Sequence, residues 1–203
     1  MYLSKTFVKA SIMTLLSLAA TGAFAGELNL QGTASGYFNA SGTTLGGLTY
    51  VGSTFNTTTS GGFYALGGDA GIVNVNNLGS MGLNGSTFNY AGDKFTLNVN
   101  FTEPTGITGS STANFTATMI GNVSNTANGG VDVIFSGAPQ TFNYSNASMT
   151  GSFSLAVNNL AIHPNQNESI TGYGTGTCTP EPGAYAALGM GVLGFVVRRR
   201  RRK

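Results

Sequence analysis

Phe95-Thr96-Leu97-Asn98-Val99-Asn100-Phe101 alternates apolar and polar residues without a break. Successive side chains of an extended backbone point to opposite faces, so this pattern predicts a strand with one face buried and one in water. The same period recurs in Phe115-Thr116-Ala117-Thr118-Met119, Val131-Asp132-Val133-Ile134-Phe135 and Phe153-Ser154-Leu155-Ala156-Val157. Weaker candidates surround Leu48, Phe63, Val73, Phe88 and Phe142. Turn signals separate them at short intervals: Asn84-Gly85, Ala91-Gly92-Asp93, Glu103-Pro104-Thr105-Gly106, Asn128-Gly129-Gly130 and Gly137-Ala138-Pro139. No amphipathic helical stretch interrupts the series. Roughly eight to ten short strands of this kind predict an all-β body, an antiparallel β-sandwich or jelly-roll-like fold. A solenoid would need a fixed repeat, and none is found.

Composition agrees. More than half of residues 26–177 are Gly, Thr, Asn or Ser; Thr favours strands, while Gly and Asn accept the positive φ of tight turns. Eight of the nine cations sit in the tails, at Lys5, Lys9, Arg198 to Arg202 and Lys203. Between them Lys94 stands alone against six carboxylates, giving the body a formal charge of −5. Nothing basic remains to grip phosphate, which argues against a nucleic-acid partner. Cys178 is the single cysteine, so no internal disulfide forms and stability must come from the core.

The two ends carry the delivery signals. Met1 to Lys9 is cationic, Ala10 to Ala20 apolar, and Ala23-Phe24-Ala25 a small-x-small site, the three parts of a secretory signal peptide over residues 1–25 with cleavage before Gly26. At the other end Pro180-Glu181-Pro182 precedes fifteen uncharged residues, 183–197, and then Arg198, Arg199, Arg200, Arg201 and Arg202. As a helix that apolar run spans roughly 22 Å at ~1.5 Å per residue, short of the ~30 Å hydrocarbon core. Snorkelling arginines and local thinning can supply the difference, and the cations hold that end in the cytoplasm. Such a segment predicts one C-terminal transmembrane helix with the body outside. Residues 172–179, Gly-Tyr-Gly-Thr-Gly-Thr-Cys-Thr, read as a flexible linker between the body (26–171) and the tail, with Cys178 an incidental passenger. The Gly-, Ser- and Thr-rich stretch Glu27 to Thr59 reads as including a mobile lead-in to the sheet.

The tail at 180–203 closely resembles the PEP-CTERM sorting signal of Gram-negative bacteria that make extracellular polysaccharide. The resemblance rests on Pro180, Glu181 and Pro182, the Gly-rich apolar run, and Arg198 to Arg202. It implies an exosortase as processing partner, transient anchoring in the inner membrane, removal of the tail, and transfer of the body to the cell surface or matrix.

Chemistry is harder to find in the body, and the expectation is a protein that is not an enzyme, with no catalytic, metal or cofactor residues. His163, the single histidine, stands beside Pro164 in a turn and reads as a surface residue. Asp69, Asp93, Glu103 and Asp132 would have to converge to make a glycosidase pair or a calcium site, but their spacing gives no cluster. Gly67-Gly68-Asp69-Ala70-Gly71 is one copy of a motif that binds calcium only in repeats. Tyr37, Tyr50, Tyr64, Tyr90, Tyr144 and Tyr173 could stack on sugar rings, yet aromatics alternating in strands read mainly as core. Nine Asn-x-Ser/Thr triplets follow from composition alone. The leading expectation is a structural or adhesive component of a polysaccharide-rich biofilm or floc; the alternative is a secreted carbohydrate-binding module or hydrolase, with extracellular polysaccharide as its partner.

Overall fold

A computed structural model describes residues 26–40, 42–67, 76–125 and 128–180. Among them lie sixteen strands and no helix. The first half contains β1 (Asn29–Phe38), β2 (Thr44–Leu45), β3 (Leu48–Val51), β4 (Ser53–Thr58), β5 (Phe63–Leu66), β6 (Ser80–Leu83), β7 (Phe88–Asn89) and β8 (Lys94–Glu103). The second contains β9 (Thr112–Ile120), β10 (Asn122–Val123), β11 (Val131–Ser136), β12 (Gln140–Ser145), β13 (Met149–Val157), β14 (Leu160–Ile162), β15 (Gln166–Ser169) and β16 (Gly172–Pro180). Every pairing is antiparallel. The all-β class is as expected. The strands are more numerous than the eight to ten legible in the sequence, because two-residue strands such as β2, β7 and β10 are too short to show a period.

The quoted stretch is the middle of β8, where Phe95, Leu97, Val99 and Phe101 are buried and the intervening Thr and Asn residues face outward. It lies inside a six-stranded sheet ordered β14-β11-β9-β8-β1-β4. Two four-stranded sheets, β12-β13-β16-β5 and β15-β6-β3-β2, and the two-stranded β10-β7 complete the body. Aromatic rings fill the space between sheets. Phe101 of β8 meets Phe142 of β12 at 5.0 Å and Phe153 of β13 at 4.8 Å, and Phe95 meets Tyr50 of β3 at 5.0 Å between centroids. Ring pairs at these separations add to simple burial of apolar area, which is the main source of cohesion.

Two regions expected to be loose are central strands. The lead-in proposed within Glu27 to Thr59 contains β1, which sits between β4 and β8 with Leu30, Ala34 and Phe38 buried. The linker proposed at 172–179 is β16, hydrogen-bonded to β13 on one side and β5 on the other. The physical reason is shared. Inward positions of both strands hold glycine opposite large neighbours: a Cβ on Gly36 would lie 2.5 Å from the Phe95 ring, and one on Gly174 2.7 Å from the Tyr64 ring. Small residues here make room for rings supplied by other strands. Cys178 is correspondingly part of the core, 4% exposed, with its thiol against the Gly26 carbonyl. The first residue after the expected signal cleavage and the last strand before the tail therefore touch.

Candidate functional site

Of the expected sorting residues, Pro180 ends β16, paired with Met149. Ala23, Ala25, Glu181, Pro182 and Arg198 to Arg202 lie outside the described residues, as do the span 183–197, the strand expected around Val73, and Asp69. The tail thus leaves directly from a hydrogen-bonded strand.

The remaining carboxylates do not meet. Asp93, in the turn before β8, accepts a hydrogen bond from Asn39 Nδ2 at 3.1 Å, while Asn39 Oδ1 accepts from the Lys94 amide at 3.0 Å. That pair ties two turns together. Glu103 closes its own turn by accepting the Thr105 amide at 2.9 Å, and Asp132 stands exposed on β11 opposite Ile120. Among the described residues no group of three His, Cys, Asp or Glu side chains could hold a metal ion. His163 is exposed between β14 and β15, its Nδ1 3.4 Å from the Gly129 carbonyl.

Three concave surfaces among the described residues are lined by uncharged groups. One of about 480 Å³ opens on the outer face of β4, β1 and β8 among Gln31, Thr33, Thr54, Asn56 and Thr102. A second, about 360 Å³, gathers the amides Asn84, Asn165, Gln166 and Asn167 around Gly47 and Gly82. Those glycines keep it open, since a Cβ on Gly82 would lie 2.2 Å from Asn167 Oδ1 and one on Gly47 2.1 Å from Asn84 Oδ1. A third, about 490 Å³, lies beside Tyr173. Of the candidate tyrosines, Tyr173 is exposed, at 54%; Tyr37 is half-buried and the other four belong to the core, as alternation in strands suggests.

Among the described residues of the body nothing names a reaction, and the tail is what can be compared with known proteins. Residues 179–202 match the PEP-CTERM protein-sorting motif. No curated protein and no solved structure matches the chain. The PEP-CTERM motif implies export, a membrane-held sorting signal and processing by an exosortase. Its matched residues begin one position before Pro180, so strand β16 runs into the motif without an intervening spacer.

A body with a single cysteine must be held by its core, and the four buried tyrosines show how polar groups are satisfied there. Tyr50 Oη donates to the Leu78 carbonyl at 3.0 Å, Tyr64 to Ser154 at 2.6 Å, Tyr144 to Thr177 at 2.9 Å, and Tyr90 to Gly46. Each bond fastens one segment to a distant one. Burial raises all four phenols above their ordinary value near 10, Tyr144 to about 12, with Asp93 adding to the rise at Tyr90 and Cys178 at Tyr144. The sign follows: above pH ~10 the unfolded chain sheds protons that the folded chain retains, so stability falls as pH rises. This contribution is intact below pH ~10 and lost through about 12. We expect alkaline unfolding in that window, with tyrosinate absorbance, unobscured by tryptophan in this chain, rising together with loss of the strand circular-dichroism signal. Tyrosinate absorbance from all the tyrosines, the buried Tyr50, Tyr64, Tyr90 and Tyr144 included, reached well before that signal is lost would contradict the assignment.

Proposed function

We propose that the chain is a non-enzymatic surface or extracellular-matrix protein, sorted by an exosortase and adding adhesion or bulk to a polysaccharide-rich biofilm or floc. The observation that carries this reading is the PEP-CTERM match at 179–202, which begins within the last strand of an all-β body. In this reading cleavage after Ala25 frees the N-terminus, the segment 183–197 holds the chain in the inner membrane with Arg198 to Arg202 inside, and tail removal releases an acidic, sparsely charged domain. We read the body as an antiparallel sandwich, on the strength of the Phe101 contacts to Phe142 and Phe153. Dispersed carboxylates and uncharged concavities suit a structural or adhesive part better than a hydrolase.

Deletion of Glu181 to Lys203 tests the sorting and leaves β16 whole. The expected result is loss of surface retention on cell fractionation, with the folded body recovered in a soluble fraction. Unchanged surface retention would sink the proposal. A second reading, a carbohydrate-binding body, is favoured by the exposed ring of Tyr173 beside a concavity.

A further inference from the structure

The outer face of the sheet β12-β13-β16-β5 carries the two exposed aromatic side chains of the described body, Phe63 at 68% and Tyr173 at 54%. They stand on neighbouring strands: Tyr173 pairs with Ala65 of β5, and Phe63 with Thr175 of β16. Diagonal neighbours on one face lie about 7–8 Å apart. Both side chains therefore stand on one face, close enough for a single extended ligand to span them. The cross-strand partners of Tyr173 are Ala65 on one side and Ala156 on the other, too small to cover its ring. Phe63 is pinned by a two-glycine turn, with Gly61 and Gly62 at φ 59° and 85° and reciprocal hydrogen bonds between Ser60 and Phe63 at 2.8 and 3.1 Å. The platform is built on the scaffold, not on a loose loop.

Beside Tyr173 the concavity of about 490 Å³ is bounded by Gly67, Asn158 and Thr171. A Cβ at Gly67 would sit 2.5 Å from Thr171 Cγ2, so glycine is what leaves the space. Asn158 Nδ2 donates to Thr171 Oγ1 at 2.8 Å. That bond orients the amide with Oδ1 as an acceptor and leaves the threonine hydroxyl its own proton to donate. A sugar hydroxyl needs one of each. Along the same face, the hydroxyl pairs Ser154 with Thr175, Ser152 with Thr177 and Thr150 with Thr179 form a ladder at 3.0 to 3.3 Å. From Tyr173 to Thr179 this track is about 20 Å long at ~3.4 Å per residue.

We infer that the Phe63–Tyr173 platform, with Asn158 and Thr171 at its edge and the hydroxyl ladder behind it, binds an uncharged polysaccharide chain. Aromatic faces take the apolar faces of sugar rings, and a few placed polar groups fix orientation. No charged side chain lines the concavity, and a body with formal charge −5 disfavours an anionic polymer. This inference rests on the second reading of the body and is independent of how the chain is sorted.

The test uses the full chain purified in mild detergent and its retention on insoluble cellulose, chitin and starch, with alginate beads as the anionic comparison. We expect retention on at least one of the uncharged polymers. Phe63→Ala and Tyr173→Ala should each weaken it about tenfold, equivalent to roughly 1.4 kcal/mol. Tyr173→Phe should keep most of it, and Thr171→Val should weaken it without touching either ring. Tyr37→Ala, on β1 of the six-stranded sheet, should change nothing, and thermal melts of all variants report whether they fold. Retention by the double Phe63→Ala, Tyr173→Ala variant equal to wild type would overturn this site while leaving a carbohydrate-binding body intact. Failure of wild type on all three uncharged polymers, or retention on alginate alone, would remove the site and the second reading together. Dissociation of a dimer by the double variant, with polysaccharide retention unchanged, would assign the face to a second copy and overturn the inference.

Discussion

Gly174→Val is expected to unfold the body or bring it close to unfolding. Gly174, the third residue of β16, lies in the part of that strand flanked by β13 and β5, and faces inward. A Cβ there would fall 1.7 Å from the Ser154 carbonyl oxygen and 2.7 Å from the Tyr64 ring. The first obstacle is backbone, which cannot swing aside as the end of a flexible side chain can. Overpacking a core costs roughly 1–3 kcal/mol when side chains can shift, and more when they cannot. Valine at this position should therefore remove at least about 3 kcal/mol from a total stability of roughly 5–15 kcal/mol. The Tyr64 hydrogen bond to Ser154 is lost with it, because the same displacement moves its acceptor. A guanidinium denaturation midpoint measures this directly. The control is Thr175→Val, one residue along on the outer face, which should change stability by no more than about 0.5 kcal/mol. Equal midpoints for the two variants would show that β16 is not in the core.

Phe153→Ala should be nearly as damaging, for the opposite reason. Phe153 is 1% exposed and sits at the meeting point of two sheets, with Phe101 at 4.8 Å, a stacked Phe142 at 4.9 Å and Tyr144 at 6.4 Å. Truncation removes the ring and leaves a cavity walled by aromatic rings of β8 and β12, strands tied by their own ladders, so collapse is limited. Losses for Phe→Ala at such sites run about 3–5 kcal/mol. Phe63→Ala, exposed on the outer face, supplies the comparison and should stay within about 0.5 kcal/mol. A loss below about 1 kcal/mol for Phe153→Ala would mean that this cluster does not join the sheets.

Strands with several large apolar residues on one face could be read directly, as in β8, β11, the Phe153–Val157 half of β13, and β9, where Phe115 and Met119 carry the period. Strands whose inward positions are glycine or alanine could not. In β1 the inward sequence Leu30, Gly32, Ala34, Gly36, Phe38 dilutes the period, and in β16 Gly172, Gly174 and Gly176 erase it. The same holds for the candidate binding face. Tyr173 was visible as an aromatic, but its partnership with Phe63 depends on β5 and β16 lying side by side across a separation of more than a hundred residues. The concavity beside it depends on Gly67 approaching Thr171, again a long-range contact.

The amino-acid sequence by itself determined the all-β class, the turn positions and the PEP-CTERM tail, because each is written in neighbouring residues: a period of two, a Gly or Asn at a sharp bend, a Pro-Glu-Pro followed by an apolar run and arginines. Tertiary structure alone decided that the stretch resembling a spacer is a central strand, that Cys178 is core, and that two exposed rings share a face. Glycine at alternate positions states only that one side of a strand is bare. Whether water or a neighbour's ring fills that side is set by Tyr64, Phe95 and Phe153, which reach it only once the sheets have formed.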